Sequence, residues 1–154
     1  MNSIATNHIN SAFAANVASR YDEALQFGLL ATKLASAEPT SWYNLGVAQR
    51  GLGQVEAAKK SQKRSADLSH KLVEAQNAIG LEFIFLQAYP DAEKCLVRAI
   101  QHAGDYALPY LNLDLAVGRR CAHDGGVAPR QTRGAAPSLG PREPIHERAF
   151  PRVA

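Results

Sequence analysis

Small and apolar positions return along this chain at a fixed long offset. In SWYNLGVAQRGLGQVEAAKKS, from Ser41 to Ser61, a Trp, a Leu-Gly pair and a later Ala stand inside segments that otherwise read as plain helix. The segments RYDEAL at Arg20, QVEAAK at Gln54 and AYPDAE at Ala88 stand 34 residues apart, and so do Gly46 and Gly80. This offset divides the chain into units at 5–38, 39–72 and 73–106, with a partial unit at 107–118. A unit of that length holds two antiparallel helices. Such a pair cannot bury its apolar faces alone and must stack on its neighbours. Small residues are then expected at the crossings, with Gly46 and Gly80 on the first helix of their pairs and Ala24, Ala58 and Ala92 on the answering surface of the second.

Punctuation agrees with the period. Pro39, Pro90 and Pro109 are the only prolines before position 119, and each falls in the first turn of a predicted helix, where a missing N–H costs nothing. Gly53 falls between two helices, where a residue able to take positive φ is needed.

The pattern resembles the tetratricopeptide repeat family. It is fullest in the second unit, through Trp42, Leu45, Gly46, Gly53, Ala58 and Leu68. The third unit carries Ile79, Gly80, Phe83, Tyr89, Ala92, Leu96 and Ala99, with Gln76 in place of the first aromatic. The first unit keeps Tyr21, Ala24 and Ala31 in its second helix and only Ala12 and Ala15 in its first. The resemblance implies an all-α solenoid, a right-handed superhelix of antiparallel helix pairs whose first helices line a concave groove. The groove positions it implies are Thr6, Ile9, Asn10 and Phe13, then Thr40, Tyr43, Asn44, Val47 and Arg50. Glu74, Asn77, Ala78, Leu81 and Phe85 follow in the third unit, and Leu108, Leu111, Asn112 and Leu115 in the partial fourth. The candidate peptide-groove residues are therefore Asn10, Phe13, Tyr43, Asn44, Val47, Asn77, Leu81, Phe85 and Asn112.

Composition changes after Gly118. The segment 119–154 has no period, no Lys, seven Arg and five of the eight Pro, and reads as a disordered basic tail or as a frameshifted end. It carries a net +4 of the chain's +3, leaving −1 on the body, so the repeats do not present a nucleic-acid surface. Leu108 to Val117 is then an orphan helix exposing Tyr110, Leu113 and Val117, and self-association through this end is expected.

Catalysis finds no support. Cys121 and His123 form a C-x-H triplet with no second pair at zinc spacing, so neither metal nor cofactor is expected. His8, His70 and His102 have no Ser, Cys or acid placed beside them by the periodicity. Lys59, Lys60, Lys63 and Arg64 follow one solvated helix face, and Gly51 with Gly53 lacks the rest of a phosphate loop. Cys95 and Cys121 make no disulfide framework, the amino terminus lacks a basic leader region, and no run reaches membrane-spanning length; a cytoplasmic protein is expected.

Binding remains. The resemblance implies two known groove chemistries, a carboxylate clamp and an asparagine ladder. The clamp is rejected, because Ile9, Phe13, Glu74 and Ala78 stand where it needs Lys, Arg or Asn. The ladder would use Asn10, Asn44 and Asn112, which share one repeat position that Ala78 interrupts. The expected function is a non-catalytic scaffold that holds a peptide or partner helix in the groove. The alternative is the truncated amino-terminal repeat region of a larger bacterial-type glycosyltransferase or methyltransferase.

Overall fold

The computed structural model describes residues 2–126, and these form seven α-helices and no strand. In chain order they are α1 (Ser3–Val17), α2 (Tyr21–Leu34), α3 (Pro39–Gly51), α4 (Val55–Leu68), α5 (Val73–Phe85), α6 (Tyr89–Ala103) and α7 (Leu108–His123). Each odd helix packs along the even helix that follows it, and α2 packs on α3 and α6 on α7, so the pairs stack in sequence order. Direct packing also joins α1 to α3 and α5 to α7, and the Arg50–Glu82 ion pair links α3 to α5, so the odd helices share one layer.

The turn inside each pair is the same object three times. The N–H of Arg20 donates to the Ala15 carbonyl at 2.8 Å, Gln54 to Gln49 at 2.8 Å and Ala88 to Phe83 at 2.9 Å. The residue just before each donor is left-handed: Ser19 at φ +57°, Gly53 at +75° and Gln87 at +56°. This is the C-terminal cap in which a left-handed residue lets the chain satisfy orphaned carbonyls. Only the middle copy has the glycine that makes the conformation inexpensive. A fourth copy, Gly125 at φ +72° with Gly126 donating to Cys121 at 2.8 Å, closes α7. It comes four residues later than the period would place it, so α7 is one turn too long for its repeat.

That extra turn corrects the boundary at Gly118. The helix runs through Gly118 to His123, and its added turn lies against α6, with Arg120 Nε 2.7 Å from Glu93 Oε1 and the His123 ring edge-on to Tyr89. The Arg120–Glu93 approach is an ion pair by distance, without hydrogen-bond alignment. The expectation for the basic tail otherwise falls at 127–154, outside the described residues.

The close crossings also differ in detail. Ala24, Ala58 and Ala92 are fully buried, but the glycines face other residues. A Cβ on Gly46 would meet the Gln62 side chain, and one on Gly80 would come within 2.7 Å of Leu96 Cγ. Gln62 and Leu96 each lie one helical turn past Ala58 and Ala92, because side chains lean toward the N-terminus of their helix and cover the preceding turn.

The core changes character along the stack. Between α5 and α6 it is apolar, built on Ile79, Phe83, Tyr89, Ala92 and Leu96. Around α4 it is polar, because that helix buries only Ala58, Ser61, Gln62, Ser65 and Ala66. Hydrogen bonds join α4 to its neighbours. Gln62 Nε2 donates to the Tyr43 carbonyl (3.2 Å), Ser65 Oγ to the Pro39 carbonyl (2.9 Å), Ser61 Oγ to Gln49 Oε1 (2.7 Å) and Gln76 Nε2 to the Ala66 carbonyl (2.7 Å). Each such bond is worth only about 0.5–1.5 kcal/mol net. The α4–α5 junction is the least extensively packed of the junctions between successive helices.

Candidate functional site

The layer of odd helices carries one repeat position that is apolar in all four copies: Phe13, Val47, Leu81 and Leu115. None of the four is buried; Phe13 is 59% and Leu115 42% exposed, and Val47 and Leu81 are half-buried. Phe85 at 61% and Leu111 at 61% continue the apolar surface. Exposed apolar side chains that recur on one face form a patch rather than scattered exceptions.

The asparagines behave differently from what a ladder requires. Asn10 is exposed, but Asn44 is 2% exposed and faces α1: its Nδ2 donates to the Ile9 carbonyl at 3.2 Å, and its own carbonyl accepts from Asn16 Nδ2 at 2.9 Å. Asn77 is 7% exposed, and its Oδ1 accepts from Asn112 Nδ2 at 2.7 Å. Asn44 and Asn112 thus lock α3 to α1 and α7 to α5. Both are corrected from groove ligands to inter-repeat ties, and Asn77 with them: Asn44 and Asn77 are buried and Asn112 half-buried, and an amide already paired between helices is not free to bind a peptide backbone. Of the residues expected in the groove, the open surface keeps Asn10, Phe13 and Phe85 together with the half-buried Tyr43, Val47 and Leu81.

Where Ala78 interrupts the asparagine series, α3 and α5 lack this tie and separate at their N-terminal ends. A cavity of about 340 Å³ lies there, lined by Glu38 at the cap of α3, by Pro39, Thr40 and Tyr43 of α3 and by Glu74, Ala75, Ala78 and Ile79 of α5, with Ser65 and Leu72 beside them. At the other end the two helices are bolted by Arg50, whose Nε and Nη2 donate to Glu82 Oε2 and Oε1 at 2.6 and 3.2 Å. The guanidinium also lies 5.1 Å above the Phe85 ring. Glu82 is only 6% exposed. The bond to Glu82 raises the Arg50 pKa, against the opposing effect of burial. Burial, and next the charge of Glu82, raise that of the Tyr43 phenol, which therefore remains a neutral hydrogen-bonding group. Glu82 was not evident from the sequence, because its offset from Arg50 does not match the repeat. The one available signal was a lone carboxylate in the apolar run LEFIF.

The remaining candidates for chemistry stay apart. Cys95 is 3% exposed, and burial pushes its thiol up to about 12. His8 stacks on Phe27 at 6.0 Å. Among the described residues no group of His, Cys, Asp and Glu is arranged to hold a metal, and no helix is long and apolar enough to cross a membrane.

No family model and no curated protein matches the chain. A solved structure does: the crystal structure of the Sgt2 TPR domain from Aspergillus fumigatus is similar over 94% of this chain and 89% of that one, with 20% identity and a TM-score of 0.66. The fold is that of a tetratricopeptide repeat array. With the 34-residue period and the recurring turn, the likeness establishes an all-α solenoid of antiparallel helix pairs.

Proposed function

We propose that this chain is a non-catalytic protein-interaction scaffold whose inner face, along α1, α3, α5 and α7, binds a peptide or helix of a partner protein. The observation that carries the reading is the apolar stripe Phe13, Val47, Leu81 and Leu115, retained in every copy of the repeat and never buried by the fold itself. An apolar face of this kind accepts an apolar segment of a partner, while Tyr43 supplies aromatic area and a neutral hydroxyl. The even helices have no position that is apolar and exposed in every copy: α2 exposes Leu29, Leu30 and Leu34 and α6 Val97, but Lys63 stands between Leu29 and Val97 in the repeat. Their outer face carries Lys59, Lys60, Lys63 and Arg64, with Lys59 paired to Glu56 at 2.9 Å.

A randomised peptide library selected on the chain, followed by titration of the best ligand, tests this. Tyr43→Ala is expected to weaken that ligand by more than about 1 kcal/mol, as for an anchoring aromatic, and Lys60→Ala to leave it unchanged. Ligands that lose affinity with Lys60 and not with Tyr43 would move the site to the outer face.

A further inference from the structure

The cavity between α3 and α5 differs from the rest of the inner face in its charge. Tyr43, Ala75, Ala78 and the buried Ile79 give it apolar walls, and the half-buried Glu38 and exposed Glu74 line it as well. Among the described residues no Lys, Arg or His lines it. Arg50, at the far end of the same two helices, is bound to Glu82, and the exposed Lys71 precedes the lining residue Leu72 without itself lining the cavity. Glu38 caps α3, accepting from the Thr40 N–H at 3.5 Å and from Thr40 Oγ1 at 3.0 Å, and among the described residues no cation pairs with its charge. Ser65 Oγ, also on the wall, is committed to the Pro39 carbonyl. The volume of about 340 Å³ reaches the lower end of the range of about 300–1,000 Å³ typical of ligand sites.

We infer that this cleft is the specificity pocket of the inner face and takes an arginine or lysine side chain of the bound peptide. The aliphatic stem lies on Tyr43, Ala78 and Ile79 and the cation stands between Glu38 and Glu74. Long basic side chains suit such a site because their stems bury against apolar walls while the charged head stays at the wet rim. An acidic side chain or a free terminal carboxylate is excluded by the same two glutamates. The inference rests on the inner face being the peptide site and adds the chemistry that selects the peptide.

The test is the same library selected in parallel on the wild-type chain and on Glu38→Gln/Glu74→Gln, which keeps the capping acceptor and removes both charges. Wild type is expected to enrich one basic position and the variant to lose that enrichment. In the best wild-type peptide, replacing the basic residue by norleucine is expected to weaken binding about three- to five-fold on wild type, the scale of a partly exposed ion pair, and not on the variant. The wild-type difference should shrink as salt rises from low to high concentration. Ala78→Leu, which fills the cleft, should weaken the same peptide even with both glutamates present. Peptides that depend on Tyr43 yet show no basic position, or that lose equal affinity to norleucine on both proteins, overturn the pocket and leave the inner face as the site. Binding insensitive to Tyr43 overturns both.

Discussion

Ser19, Gly53 and Gln87 occupy one left-handed turn position, and only Gly53 pays no steric penalty for it. Ser19→Gly and Gln87→Gly are therefore expected to stabilise the chain, each by up to about 1 kcal/mol, and Gly53→Ala to destabilise it by a similar amount, read from urea denaturation. The sequence showed the turn at Gly53 but could not show it at Ser19 or Gln87, because a non-glycine residue carries no mark of the conformation its neighbours impose. The two cysteines separate by the same kind of local physics. Burial raises the Cys95 thiol from 9.0 to about 12, so its thiolate is disfavoured in the folded chain. A raised pKa means that the contribution to stability is complete below pH 9 and is lost as pH climbs toward 12. At neutral pH a thiol reagent should label the half-buried Cys121 in the native protein and reach Cys95 only on unfolding. Rapid native labelling of both would show that α6 does not bury Cys95 as described.

At the level of the helices, the same glycine position meets two different neighbours. Gly80 faces the branched Cγ of Leu96 within the apolar core, whereas Gly46 faces the equally buried but unbranched Gln62, whose amide end is the nearest atom. Gly80→Ala should cost about 1–3 kcal/mol, the range for overpacking, while Gly46→Ala should cost less, losing mainly the Gln62 bond to the Tyr43 carbonyl. Thermal melts that rank them the other way would contradict the contrast between the polar and apolar parts of the core. Ala58→Leu and Ala92→Leu, at fully buried positions, should each cost about 1–3 kcal/mol, and Lys60→Leu, on the exposed face of α4, little. The helix pairs and their small residues were legible because they obey the repeat. The partner of each glycine was misplaced by one turn, since the offset between facing helices is set by side-chain lean and not by sequence period. Asn44 and Asn112 were recognisable as a series, but whether an amide points to a groove or to the next helix depends on helix separation, which the sequence does not state.

The whole molecule is a stack with an uneven spine: apolar around α5 and α6, polar around α4, and open between α3 and α5. Its last described helix, α7, has no partner helix after it among the described residues. The large apolar side chains it leaves exposed are Leu108 (46%), Leu111 (61%) and Leu115 (42%). Tyr110, Leu113 and Val117, expected to be uncovered, are half-buried, with Leu113 against the α5–α6 core. Concentration-dependent self-association is thus expected through the Leu108, Leu111 and Leu115 face, and Leu111→Glu should reduce it. A clean monomer of the wild-type chain at high micromolar concentration in sedimentation would contradict this. Such a face merges with the inner layer, so a partner segment and a second copy would compete for it.

The central claim, that the odd helices form the binding face, is tested most directly by hydrogen–deuterium exchange of the chain with and without its selected peptide. Slowed exchange is predicted along α1, α3, α5 and α7, strongest around Tyr43 and Leu81, with α2, α4 and α6 little changed beyond their turns. Protection concentrated on the even helices, with the odd ones exchanging as in the free chain, would contradict the account.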